Sequence, residues 1–85
     1  MKTESGFEFE FLPTANNDAE LLDCFIEMSQ DGISNNKFML DHMIGKKGRD
    51  SLYEYCRKDG VVQADMLLSE ITDLIHQLTG AEKNS

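Results

Sequence analysis

The chain has 85 residues, with 16 acidic and 8 basic side chains and a formal net charge of −8. A chain this short forms one domain with a small core, burying only about 60–65% of its unfolded surface, which disfavours a large catalytic cleft. No run of about 18 apolar residues predicts a membrane span, the N-terminus leads into no apolar signal segment, and two isolated cysteines suit a reducing cytoplasm.

Residues 6–12, Gly-Phe-Glu-Phe-Glu-Phe-Leu, alternate apolar and acidic side chains up to Pro13. Period-two alternation is the mark of extended backbone with one apolar face. A single strand cannot satisfy its own backbone groups. The segment 1–13 therefore either pairs with another strand, from a partner or a second copy, or lies as an arm with Phe7, Phe9 and Phe11 in a groove.

A first helix is predicted from about Asp18 to Gln30, capped by Asn17 with Glu20 as the capping partner and stopped by Gly32. Leu21, Leu22, Phe25, Ile26 and Met28 form its apolar stripe, and Glu20, Asp23 and Glu27 fall on another face. A second helix follows Ser34 over about Asn35 to Ile44, with Phe38, Met39, Met43 and Ile44 as buried candidates. Gly45-Lys46-Lys47-Gly48 reads as a loop. Ser51-Leu52-Tyr53-Glu54 reads as a capping box that opens a short third helix, ended by the turn signal Asp59-Gly60. The fourth helix spans about Val62 to Thr79. Its stripe Ala64, Leu67, Ile71, Leu74 and Leu78 steps by three and four, widened by Leu68 and Ile75, and Gly80 stops it. Residues 81–85 read as a disordered polar tail. The expected architecture is mainly α: an arm over 1–13, then one four-helix domain over 14–80.

Charge is uneven along the chain. Residues 1–36 hold eight acids against Lys2 alone, and residues 37–60 hold six of the eight bases. Net acidity repels a nucleic-acid backbone and favours basic or apolar partners. An acidic row can instead imitate nucleic-acid phosphates and occupy the basic groove of an enzyme, or it can be a plain solvated face. Cys24, His42, Cys56 and His76 fall one per helix with no chelating spacing, so no metal site is expected. No paired-carboxylate motif, phosphate loop or nucleophile triad stands out, and an enzyme is not expected.

Gly48-Arg49-Asp50-Ser51-Leu52 resembles the Gly-x-Asp-Ser-Leu signature of acyl and peptidyl carrier proteins. That resemblance implies a small acidic four-helix domain with phosphopantetheine on Ser51, and Asp50 helping to position the modifying enzyme's metal-bound cofactor. A helix N-terminus suits a phosphodiester. The alternative is that Ser51 is an N-cap with Glu54, and the helix after it ends at Asp59-Gly60, where a carrier protein would continue. A more diffuse pattern spans Ala19-Glu20-Leu21-Leu22 to Gly32, Ser34-Asn35-Asn36-Lys37 through Ile44, and Ala64-Asp65-Met66 to Thr79. It resembles the small enterobacterial connector and biofilm-regulator proteins of two-component phosphorelays, which implies a helical, dimeric, non-catalytic protein.

The sequence thus points to a cytoplasmic, non-enzymatic regulator or inhibitor that binds a protein partner as a homodimer. Cofactor, membrane contact and direct nucleic-acid binding are not expected. Phe7, Phe9 and Phe11 of the arm and Leu67, Ile71 and Leu74 of the fourth helix are the expected contacts. The row Glu20, Asp23 and Glu27 would set partner choice and on-rate.

Overall fold

A computed structural model describes residues 1–32 and 35–80. The fold is mainly α, as the apolar periodicity predicts. Its helices are α1 (Ala19–Asp31), α2 (Asn36–Met43), α3 (Gly45–Tyr55) and α4 (Ala64–Thr79). A 3-10 turn at Ala15–Asn17 precedes α1, and a small antiparallel hairpin, β1 (Arg57–Lys58) and β2 (Val61–Val62), joins α3 to α4. The Ser34 cap and the tail 81–85 lie outside the described residues.

The cap of α1 is one residue later than expected. Asp18, not Asn17, accepts the Leu21 N–H at 3.1 Å, because the 3-10 turn already occupies Asn17. Asn35 caps α2 by accepting from Phe38 N–H. Gly32 and Gly80 end α1 and α4 in the left-handed conformation, as predicted.

The larger departure is in α3. Residues 45–48 are its first turn rather than a loop, and Ser51 lies in mid-helix with no capping role. Gly45 reverses the chain after α2 at φ +81°, and a Cβ there would lie 3.3 Å from Leu12. A residue that must be left-handed and closely approached has to be glycine. Gly48 clears the Ile44 side chain, which would meet its Cβ at 2.8 Å. Arg49 and Leu52 are buried on α3, and Cys56 is buried just beyond it, so the apolar period begins before the Ser-x-x-Glu box. Arg49 pairs with Asp41 of α2 at 2.6 Å and lies over the Tyr53 ring. The Asp41 pair links α3 to α2.

The turn at Asp59-Gly60 is the tip of the β1–β2 hairpin. Asp59 (φ 54°) and Gly60 (φ 82°) both adopt positive φ. This pair of conformations matches the right-handed twist of a two-residue hairpin and favours Asp-Gly. Helix α4 therefore starts at Ala64, because Val61 and Val62 belong to β2.

One core joins all parts of the chain. It holds Leu21 and Cys24 of α1, Met39, Leu40 and Met43 of α2, Leu52 of α3 and Leu67, Ile71 and Leu74 of α4, together with Phe7 and Phe9. The arm is thus part of the domain. It folds back on itself through an isolated bridge between Lys2 and Glu8, with Phe9 N–H donating to Met1 C=O. The alternation survives without a continuous ladder: Phe7 and Phe9 point inward, Glu8 and Glu10 outward.

Candidate protein-binding surface

Side chains expected to meet a partner divide into buried and exposed sets. Phe7, Phe9, Leu67, Ile71 and Leu74 are all buried in the core of the single chain, and Phe11 is half-buried against it. The first five are core residues of the folded monomer, not contacts it can offer. A domain this small uses its most regular apolar positions to fold.

Polar groups fix the arm against α4. Glu70 is buried at 6% exposure, and its two carboxylate oxygens accept from Thr3 Oγ1 at 2.6 Å and Ser5 Oγ at 2.8 Å. Tyr55 Oη donates to the Ser5 carbonyl at 2.9 Å. One helical turn on, Asp73 accepts the Glu4 N–H at 2.7 Å, and Gln77 Nε2 donates to the Lys2 carbonyl at 3.0 Å. Positions 70, 73 and 77 lie on one side of α4 at i, i+3 and i+7, so a single flank of α4 holds residues 2–5 of the arm, while the Leu12 N–H donates to Met43 C=O of α2. No periodic signal marks this network in the sequence, because it joins residues almost the full chain apart.

The acidic row lies in the open. Glu20, Asp23 and Glu27 are exposed on α1 and border a shallow cleft of about 270 Å³ toward α2, with Asn35 and Phe38 on its far side. Their spacing sets the three carboxylates along one face.

The other side of α1 is apolar and also open. Leu22 is 57% exposed and Ile26 45%, and Leu68 on α4 is 50% exposed. Two separate hollows lie between these helices. One, of about 340 Å³, is bordered by Leu22 and Phe25 of α1 and Leu78 of α4. The other, about 140 Å³, is bordered by Met28 of α1 and by Leu68, Ile71 and Ile75 of α4. Leu22, Ile26 and Leu68 read as core stripe in the sequence. The signal that could have separated Leu22 and Ile26 is the width of the α1 stripe. Residues 21, 22, 25, 26 and 28 cover an arc of roughly 160°, more than the ~100° face that a surface helix turns to its core.

At the edge of the first hollow Asp18 ties α1 to α2. Its Oδ2 lies 2.6 Å from His42 Nδ1, while Phe38 stacks on the imidazole. The hydrogen bond with His42, then the Leu21 N–H, hold the Asp18 carboxyl below its ordinary range. Cys56 is fully buried, and burial, then the Glu70 charge, push its thiol up. A raised thiol pKa lowers the thiolate fraction on which reactivity depends.

Ser51 is exposed on α3, seven positions past the N-cap Ile44, so the free N–H groups of the helix N-terminus are not at its hydroxyl. Cys24, His42, Cys56 and His76 do not converge. Among the described residues no three His, Cys, Asp or Glu side chains are placed to share a metal ion. Among them, too, no helix is long and apolar enough to cross a membrane. Comparison with family models, curated proteins and solved structures finds no match.

Proposed function

We propose that this chain is a non-enzymatic binding protein, a cytoplasmic regulator or inhibitor that acts on a protein partner as a homodimer. The observation that supports this reading is the division of α1. Its carboxylate row Glu20, Asp23 and Glu27 and its apolar flank Leu22 and Ile26 are both exposed, on different sides of one helix. Exposed carboxylates at helical spacing attract a basic surface and speed its encounter, an effect that added salt screens. An apolar flank makes the second kind of contact, insensitive to salt. The occupant of the carboxylate row is a Lys- or Arg-rich protein surface. A nucleic-acid-binding enzyme is one partner of that chemistry, with the row standing in for phosphates.

The test is native mass spectrometry of the chain purified gently from its own host, beside the same chain with Glu20→Gln, Asp23→Asn and Glu27→Gln. The expected result is a stoichiometric protein partner whose affinity for the triple variant falls by about tenfold or more and loses most of its salt dependence. A partner held equally by both chains, with the same response to salt, overturns the reading. So does a phosphopantetheine mass increment on Ser51, which would make the chain a carrier for thioester chemistry.

A further inference from the structure

We infer that the α1–α4 flank is a two-fold interface, on which a second copy of this chain docks. The inference rests on the binding-protein reading and gives its homodimer a surface different from the one the sequence suggests.

On α1, Leu22, Phe25 and Ile26 lie at i, i+3 and i+4. On α4, Leu68, Ile75 and Leu78 lie at i, i+7 and i+10. Such positions share a helix side. Leu22 and Ile26 stand out as a ridge at 57% and 45% exposure. Leu22 borders the hollow that Leu78 closes, and Leu68 and Ile75 border a second hollow beside Met28. An apolar ridge with hollows on the same flank can be self-complementary about a two-fold axis. The ridge of each copy then packs against the hollows of the other, and both contacts form at once.

Charge selects the occupant. Two copies each carrying −8 repel wherever their carboxylates meet. On this flank the two hollows hold no carboxylate but Asp18, and of the six apolar residues only Leu68 also borders the neighbouring cavity of Glu4, Glu70 and Asp73. Glu20, Asp23 and Glu27 line a cleft on the α2 side of α1, and Glu70 and Asp73 are turned to the arm. Asp18, at the edge of the hollow beside Leu22, is paired with His42. A basic partner would be drawn to the carboxylate side, whereas an identical chain is free to approach the uncharged one. The area fits a weak pair. The six residues leave on the order of 400 Å² of apolar surface per chain, so two copies with their polar rim bury about 1,000 Å², the low end for a specific interface. The docked pair presents two outward-facing carboxylate rows.

Sedimentation equilibrium of the full chain at micromolar concentration tests this, comparing the native sequence with Leu22→Glu/Ile26→Glu and, on the facing helix, Leu68→Glu. All three positions are exposed in the monomer, and far-UV circular dichroism checks that each variant keeps its helices. The expected result is a native dimer whose dissociation constant rises about a hundredfold or more in Leu22→Glu/Ile26→Glu, and also rises in Leu68→Glu. Glu20→Gln/Glu27→Gln is expected to leave the dimer intact. A native chain that stays monomeric, or a dimer indifferent to both the α1 and the α4 changes, overturns the interface. A monomer that still binds its partner through the carboxylate row overturns the interface alone and leaves the binding reading standing.

Discussion

Helix α4 has two flanks of opposite character. On one, Glu70, Asp73 and Gln77 take hydrogen bonds from or give them to the arm, and Phe7 and Phe9 close the core beneath. On the other, Leu68, Ile75 and Leu78 border two open hollows against Leu22, Phe25 and Met28 of α1. The first flank combines apolar burial with polar contacts that have direction. The second is mainly apolar, with Asn36, Thr72, His76 and Thr79 at its edges. Directional hydrogen bonds to buried groups specify one arrangement, since leaving such a group unpaired costs more than the bond contributes. Apolar surface without polar fixtures adapts to whatever covers it. The arm flank is thus built for folding, and the α1 flank stays open to solvent.

The largest expected effect is on the closed flank. Phe7 is 5% exposed, with its ring centroid 5.2 Å from that of Tyr55 and 6.5 Å from that of Phe9. Phe7→Ala should destabilise the fold by about 3–5 kcal/mol, a large part of the roughly 5–15 kcal/mol a domain possesses. Urea denaturation followed by circular dichroism measures it. A loss below about 1 kcal/mol would mean that the arm is a detachable appendage. The next largest is Glu70→Ala, which leaves the Thr3 and Ser5 hydroxyls without their acceptor and should cost about 2–3 kcal/mol. A double-mutant cycle with Thr3→Val should show a coupling of about 1 kcal/mol, and additive losses would break the link between arm and helix.

Legibility in the sequence follows the same division. Helices α1, α2 and α4 are readable because each depends on its own residues: an apolar period and a glycine stop for α1 and α4, an apolar period for α2, whose cap is Asn35. The outward turn of Glu8 and Glu10 is readable because alternation needs only extended backbone. Helix α3 is misread at its start. Gly45 and Gly48 look like loop punctuation, yet their glycine character answers to Leu12 and Ile44, packing partners that local pattern does not reveal. The Asp59-Gly60 signal marks a turn, but the hairpin is hidden by strands only two residues long. The candidate site is the least legible part. Leu22 and Leu67 are both leucines of an apolar stripe, and beyond the excess width of the α1 stripe nothing local says that Leu67 is buried and Leu22 exposed.

Asp18 sharpens the comparison at the end of the hollow beside Leu22, where its carboxylate joins α1 to α2 rather than to α4. Its folded pKa lies below that of the unfolded chain, because the His42 hydrogen bond and the Leu21 N–H favour the carboxylate. As pH falls toward and below about 4, the unfolded chain takes up this proton more readily than the folded one, so stability declines on acidification. Above that range the contribution is fully present. Asp18→Asn keeps a capping oxygen but no ionisable carboxyl, and should flatten this part of the stability–pH profile without shifting the helix boundary. Denaturant midpoints between about pH 3 and 6 measure the slope. An unchanged slope would mean that the Asp18–His42 contact stabilises neither charge state.

The smallest expected effect on folding is on the open flank, and its smallness is the informative part. Leu22→Ser removes an apolar side chain that is 57% exposed, so little apolar burial is lost within the monomer. At concentrations where the chain is monomeric, the change should alter stability by no more than about 0.5 kcal/mol. Raising the protein concentration should separate the two sequences. A native dimer gains apparent stability from association, by mass action, and the variant does not. Midpoints that coincide when dilute and diverge when concentrated would place the role of Leu22 between chains. A loss of several kcal/mol in dilute solution would place it in the core instead, and the two flanks of α4 would then differ in appearance but not in function.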